Sequence, residues 1–98
     1  MKDSTLGGYR REHERPPAFQ APDGYSYTVE IMTEELGEGD AGPWSGYLFF
    51  LRWEGSEPVG HVETGDLVEA ASEADARDAL GKLTLREVRE MLDRLVAE

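Results

Sequence analysis

The side chains best suited to chemistry lie in one short segment, between His61 and Asp66. In an extended strand, residues 61 and 63 share a face, so His61 and Glu63 could together orient a general base or hold part of a metal site. A metal ion needs three or four ligands, and the only other histidine is His13. The segment therefore predicts a weak polar site formed by His61, Glu63 and Asp66, with no metal and no cofactor.

Other kinds of catalytic residue are missing from the sequence. There is no cysteine, which excludes disulfides, thiolate metal sites and a cysteine nucleophile. Ser45 and Ser56 lack the glycine pattern of a nucleophile elbow, and the glycines of residues 37–42 lack the lysine of a phosphate loop. The carboxylates of residues 34–40 are spaced too irregularly for a calcium loop. We therefore expect no catalytic residue, and an enzyme is not the favoured interpretation.

The charge of the chain is unevenly distributed. The net charge is −11, and residues 23–98 carry 18 acidic against 6 basic side chains, whereas residues 1–22 have a net charge of +1. A body this acidic repels phosphate backbones, so we expect no direct binding of nucleic acid. A salt-adapted protein and a functional acidic face would both show this composition.

No segment of the sequence resembles a membrane span or a signal peptide. No apolar run approaches the roughly 20 residues needed to cross a bilayer, and residues 1–20 contain no apolar core of a signal sequence. Together with the lack of cysteine, this predicts a cytoplasmic protein without a membrane partner.

The elements that position these residues follow from the periodicity. Residues 1–22 show no helical or strand period and predict a flexible N-terminal tail, followed by a single domain over 23–98. Residues 25–33, 45–54 and 59–64 read as strands, and 67–71 as a short fourth strand or a continuation. Ser72 caps one helix, which Gly81 is expected to end in a left-handed conformation. Thr84 and Glu87 form the capping box of a second helix.

The predicted fold class is α+β, because strands precede helices in the chain. We expect a three- to four-stranded antiparallel sheet followed by two C-terminal helices.

The strand at residues 45–54 is apolar on both faces. Two short helices can cover one face of a small sheet, so the other must be covered differently or remain exposed. The sequence does not say which face is left, so the candidate interaction surface takes residues from both: Tyr47, Leu48, Phe50 and Trp53. The tail around Phe19, a second copy in a homodimer, or a protein partner could cover it.

These observations favour a protein–protein interaction or regulatory module. One alternative is a small ligand-binding or enzymatic domain, in which His61, Glu63 and Asp66 converge on an aromatic pocket with Tyr47 or Trp53. A further alternative is an acidic mimic of nucleic acid, which requires carboxylates along one face. The acids are instead scattered through every segment.

Overall fold

The computed structural model describes residues 4–37 and 43–97, which form an α+β fold. In chain order the elements are α1 (Leu6–His13), β1 (Ala18–Gln20), β2 (Ser26–Glu35), β3 (Trp44–Glu54), β4 (Glu57–Glu63), β5 (Val68–Ala70), α2 (Glu73–Gly81) and α3 (Leu85–Val96). The predicted antiparallel sheet followed by two C-terminal helices is confirmed. Part of the acidic stretch 34–40, where no calcium site was predicted, lies outside the described residues.

Strand β3 is the centre of the sheet. It pairs antiparallel with β2 from Ser26 opposite Trp53 to Glu35 opposite Trp44. On its other side, β4 pairs with its C-terminal half and β5 with its first residues. The register shifts between Arg52 and Trp53, beside Gly60, which marks a β-bulge. The predicted strand at residues 45–54 is confirmed, and the structure places it at the centre of the sheet.

The three helices of the described ranges contribute to a core on one face of the sheet. Each sends at least one fully buried side chain into it, between the sheet and the helix layer. The largest of these core residues are Leu6, Tyr27, Val29, Leu48, Phe50, Leu80, Val88 and Leu92. Because side chains alternate along a strand, the even-numbered residues of β3 lie on this covered face.

Residues 4–20 contain a helix and a strand, which corrects the expectation that residues 1–22 lack both. The side chain of Thr5 caps α1 by accepting a hydrogen bond from the Gly8 amide at 3.0 Å. Leu6 is 0% exposed, and its amide donates to the Leu83 carbonyl at 2.8 Å. Strand β1 then pairs with β2. Helix α1 was not predicted because Leu6 is its one fully buried residue. A single buried residue produces no hydrophobic periodicity in the sequence.

A close contact between two glycines joins α1 to α2. A Cβ atom on Gly7 would lie 3.1 Å from the Gly81 carbonyl oxygen, so any larger residue would push the helices apart. The expected left-handed cap at Gly81 is wrong. Gly81 is the last residue of α2, and Lys82 follows it in a right-handed helical conformation. The glycine is needed there for close approach rather than for chain reversal.

A hydrogen-bonded network of polar side chains lies at the end of the sheet where β2 begins. The Tyr27 hydroxyl donates to Asp23 at 2.5 Å and accepts from Arg52 Nε at 2.7 Å. Arg52 also lies over the Tyr25 ring, 5.2 Å from its centre. Burial alone would raise the pKa of Asp23, but the hydrogen bonds from Tyr27 and the Tyr25 amide, together with Arg52, lower it below the ordinary 3.8. The network therefore favours the ionised form of Asp23 in the folded state.

We expect Gly46→Ala to destabilise the fold, because Gly46 lies on the covered face beneath α2. An added Cβ atom would be 2.8 Å from Leu80 Cδ1 and 3.2 Å from Val68 Cγ2. Overpacking of this kind costs about 1–3 kcal/mol, which urea denaturation would measure. Gly65→Ala is the matched control, because no atom lies within 4 Å of its added Cβ atom. Equal losses in the two variants would contradict the packing described here.

We expect Asp23→Asn to lower the free energy of unfolding at neutral pH by about 1 kcal/mol, since it removes a charge-assisted hydrogen bond. A carboxylate with a depressed folded pKa stabilises the protein above its unfolded pKa, and this contribution is lost as pH falls through the folded pKa. The difference between wild type and variant should therefore shrink as the pH falls below the ordinary pKa of 3.8. Urea titrations across this range would test it, with Tyr27→Phe expected to weaken the same pH dependence. A difference independent of pH would show that the ionised carboxylate is not the cause.

Candidate functional site

The sheet face opposite the helices carries a row of large apolar side chains. We call this face the open face, and its central row along β3 the aromatic row; the row consists of Tyr47, Phe49, Leu51 and Trp53. Each of these residues is partly buried by its neighbours, and no helix of the described ranges contributes core residues to this face. The central strand thus buries Leu48 and Phe50 fully on one face, whereas the aromatic row on its other face is only partly buried.

Neighbouring strands hold the aromatic row in place. Trp53 Nε1 donates to Thr28 Oγ1 of β2 at 2.9 Å, which ties the indole across the strand pair. The Phe49 ring stacks on the His61 imidazole of β4, with ring centres 4.9 Å apart and planes 19° apart. These contacts hold the side chains of the row in place before any partner binds. The row is thus a preformed surface.

Carboxylates border the aromatic row on both sides. Within the described residues these rim carboxylates are Glu30 and Glu34 of β2, Glu63 of β4, Asp66 of the following segment and Glu69 of β5. Arg10 of α1 forms an ion pair with Glu30 at 2.8 Å. The open face is therefore apolar at its centre and negative at its border.

A cavity lies at the Tyr47 end of the open face. Its volume is about 320 Å³, and its lining consists of Glu34, Tyr47, Glu63, Thr64, Gly65 and Asp66. Two members of the predicted polar site, Glu63 and Asp66, meet here beside Tyr47. The third, His61, is not in the lining and stacks on Phe49 instead. Nowhere in residues 4–37 and 43–97 do three acidic or histidine side chains form a group that could hold a metal ion.

The structure places two of the four residues of the predicted interaction surface on the open face and the other two in the core. Leu48 and Phe50 are 0% exposed and belong to the core under the helices. Tyr47 and Trp53 lie on the open face, where Phe49 and Leu51 complete the row. The alternation of residues 45–54 already grouped these four side chains. The sequence lacked the information on which face of the strand the helices would cover.

Comparisons of the chain with protein-family models, with curated proteins and with solved structures find no match. Across the described residues, every helix is too short or too polar to cross a membrane.

We expect Ser45→Ala to leave the free energy of unfolding unchanged or to raise it by up to about 1 kcal/mol. Ser45 is 0% exposed, and its hydroxyl has no hydrogen-bond partner within the described residues. Removing an unpaired buried hydroxyl relieves a desolvation cost. Thr28→Val is the control, because it removes the acceptor of Trp53 Nε1 and should destabilise by about 1 kcal/mol. A clear loss of stability in Ser45→Ala, measured by thermal and urea unfolding, would show that its hydroxyl is paired.

Proposed function

We propose that the protein is a protein-interaction module whose open face receives an apolar segment of a partner protein. The observation that carries this proposal is the aromatic row, which leaves one face of the central strand without a covering layer in the described ranges. Contiguous apolar surface on a soluble domain marks interaction sites, and aromatic side chains supply much of the binding energy in interfaces. The fixed rings of Phe49 and Trp53 would reduce the entropy lost on binding.

Charge favours a different protein over a second copy as the occupant. In a dimer joined through the open face, rim carboxylates such as Glu34 and Glu63 of one copy would come close to those of the other. The net charge of −11 on each chain adds repulsion at longer range. Like charges brought together across an interface cost free energy. The homodimer that the sequence suggested is thus the weaker form of the proposal.

The proposal predicts that a partner is captured only through the aromatic row. Tagged wild-type protein and the variants Phe49→Ser and Leu51→Ser would be compared by affinity capture and quantitative mass spectrometry. A hot-spot loss of about 2 kcal/mol corresponds to a roughly thirtyfold weaker complex, so each variant should lose the partner. Circular dichroism and thermal unfolding would verify that the variants fold.

Leu67→Ser is the matched control for this experiment. Leu67 is 39% exposed, does not belong to the aromatic row, and lines a second cavity with Met91 and Leu95 of α3. The Leu67→Ser variant should therefore still capture the partner. Light scattering at low ionic strength would address self-association, with a monomer expected. The proposal is wrong if no captured protein depends on Phe49 or Leu51, or if wild type forms a dimer that Phe49→Ser abolishes.

A further inference from the structure

We propose that the segment bound by the open face is an α-helix whose apolar stripe is flanked by lysine or arginine side chains. This inference rests on the proposed function and specifies the partner of the same surface. Three properties of the surface support this inference. They are the groups that the surface presents to the backbone of a bound segment, the length of the aromatic row, and the positions of the charges.

The open face offers side chains and no backbone groups to its occupant. A segment buried there must satisfy its own backbone hydrogen bonds, because unpaired N–H and C=O groups removed from water are costly. A helix does so within a single segment. An extended segment would instead need backbone partners, which a sheet provides only at its edges.

The sheet edges beside β4 and β2 have features that hinder the addition of a further strand. The β4 edge carries Pro58 and the bulge opposite Arg52 and Trp53, and both features hinder strand addition. On the other side, β1 covers the first part of β2. In the part of β2 that β1 leaves unpaired, Arg77 of α2 donates to the Ile31 carbonyl oxygen at 3.2 Å, so one edge acceptor is already in use. Docking on the face is therefore favoured over pairing at an edge.

The length of the aromatic row matches a short helix. The row extends from Tyr47 to Trp53, which is about 20 Å at roughly 3.3 Å per strand residue. A helix of about 13 residues has this length at roughly 1.5 Å per residue. The covered face of the same sheet already packs helices of 9 and 12 residues. An occupant of this size would give the sheet a second helical layer.

The charges of the surface specify basic flanks. Rim carboxylates lie on both sides of the row, so a helix lying along β3 would have acids beside each flank. They are denser at the Tyr47 end, where the cavity of about 320 Å³ is lined by Glu34, Glu63 and Asp66. At the Trp53 end the paired neighbours on the same face are uncharged, with Ser26 and Thr28 on β2 and Pro58 on β4. The basic side chains should therefore concentrate at the helix end that lies over Tyr47.

The test uses two synthetic peptides of about 14 residues, both with leucines at helical spacing. One carries lysines on both flanks of the stripe, and the other carries glutamates at the same positions. Fluorescence anisotropy of the labelled peptides would measure binding to the wild-type protein at low and high salt. We expect the lysine peptide to bind at least about tenfold more tightly, with an advantage that salt reduces.

Protein variants separate the apolar and charged contributions to peptide binding. Phe49→Ser should abolish binding of the lysine peptide although it leaves the net charge unchanged. Glu63→Gln should weaken it by about two- to fivefold, the effect of one exposed ion pair. Glu90→Gln is the matched control, because Glu90 is exposed on α3 in the opposite layer, and it should have almost no effect.

Three results would overturn the inference: neither peptide binds, both bind equally, or Phe49→Ser has no effect. Its failure is distinguishable from failure of the proposed function. If affinity capture returns a partner that depends on Phe49 but docks through a strand or an acidic segment, the interaction module stands and the basic helix is wrong.

Discussion

The fold depends on a strand that has large apolar side chains on both faces. Successive residues of a strand point to opposite sides of a sheet, so β3 creates two apolar surfaces. Helices α1, α2 and α3 contribute to the core on one of them, where Leu48 and Phe50 are buried among Leu80, Val88 and Leu92. The short chain provides no second helical layer within the described residues, and the surface with Phe49 and Trp53 remains open. The proposed site is thus a direct result of two-sided patterning in a small domain.

Much of this architecture is local and could be predicted from the sequence. The alternation in residues 25–33 and 45–54 predicted β2 and β3, and Ser72 and Thr84 predicted where α2 and α3 begin. The capping box of Thr84 and Glu87 is present as expected. These features are readable because each depends on residues a few positions apart.

The features that could not be predicted are set by contacts between distant parts of the chain. The stacking of His61 on Phe49, rather than its grouping with Glu63 and Asp66, depends on the pairing of β3 with β4. Gly7 and Gly8 are unfavourable within a helix, yet both belong to α1, and Gly7 packs against Gly81. Tertiary packing likewise determines which side of β3 the helices cover. For this reason Leu48 and Phe50 were indistinguishable in sequence from the residues of the open face.

The bond between Leu6 and Leu83 has a consequence for how the molecule folds. The Leu6 amide bonds to the Leu83 carbonyl, and the Leu6 side chain fills the core. The hairpins of β2, β3 and β4 can form early, since their contacts are close in sequence. The core closes only when α1 meets the α2–α3 connection, two segments that are far apart in sequence. That long-range step carries the larger loop-closure entropy, so we expect it to follow the formation of the hairpins.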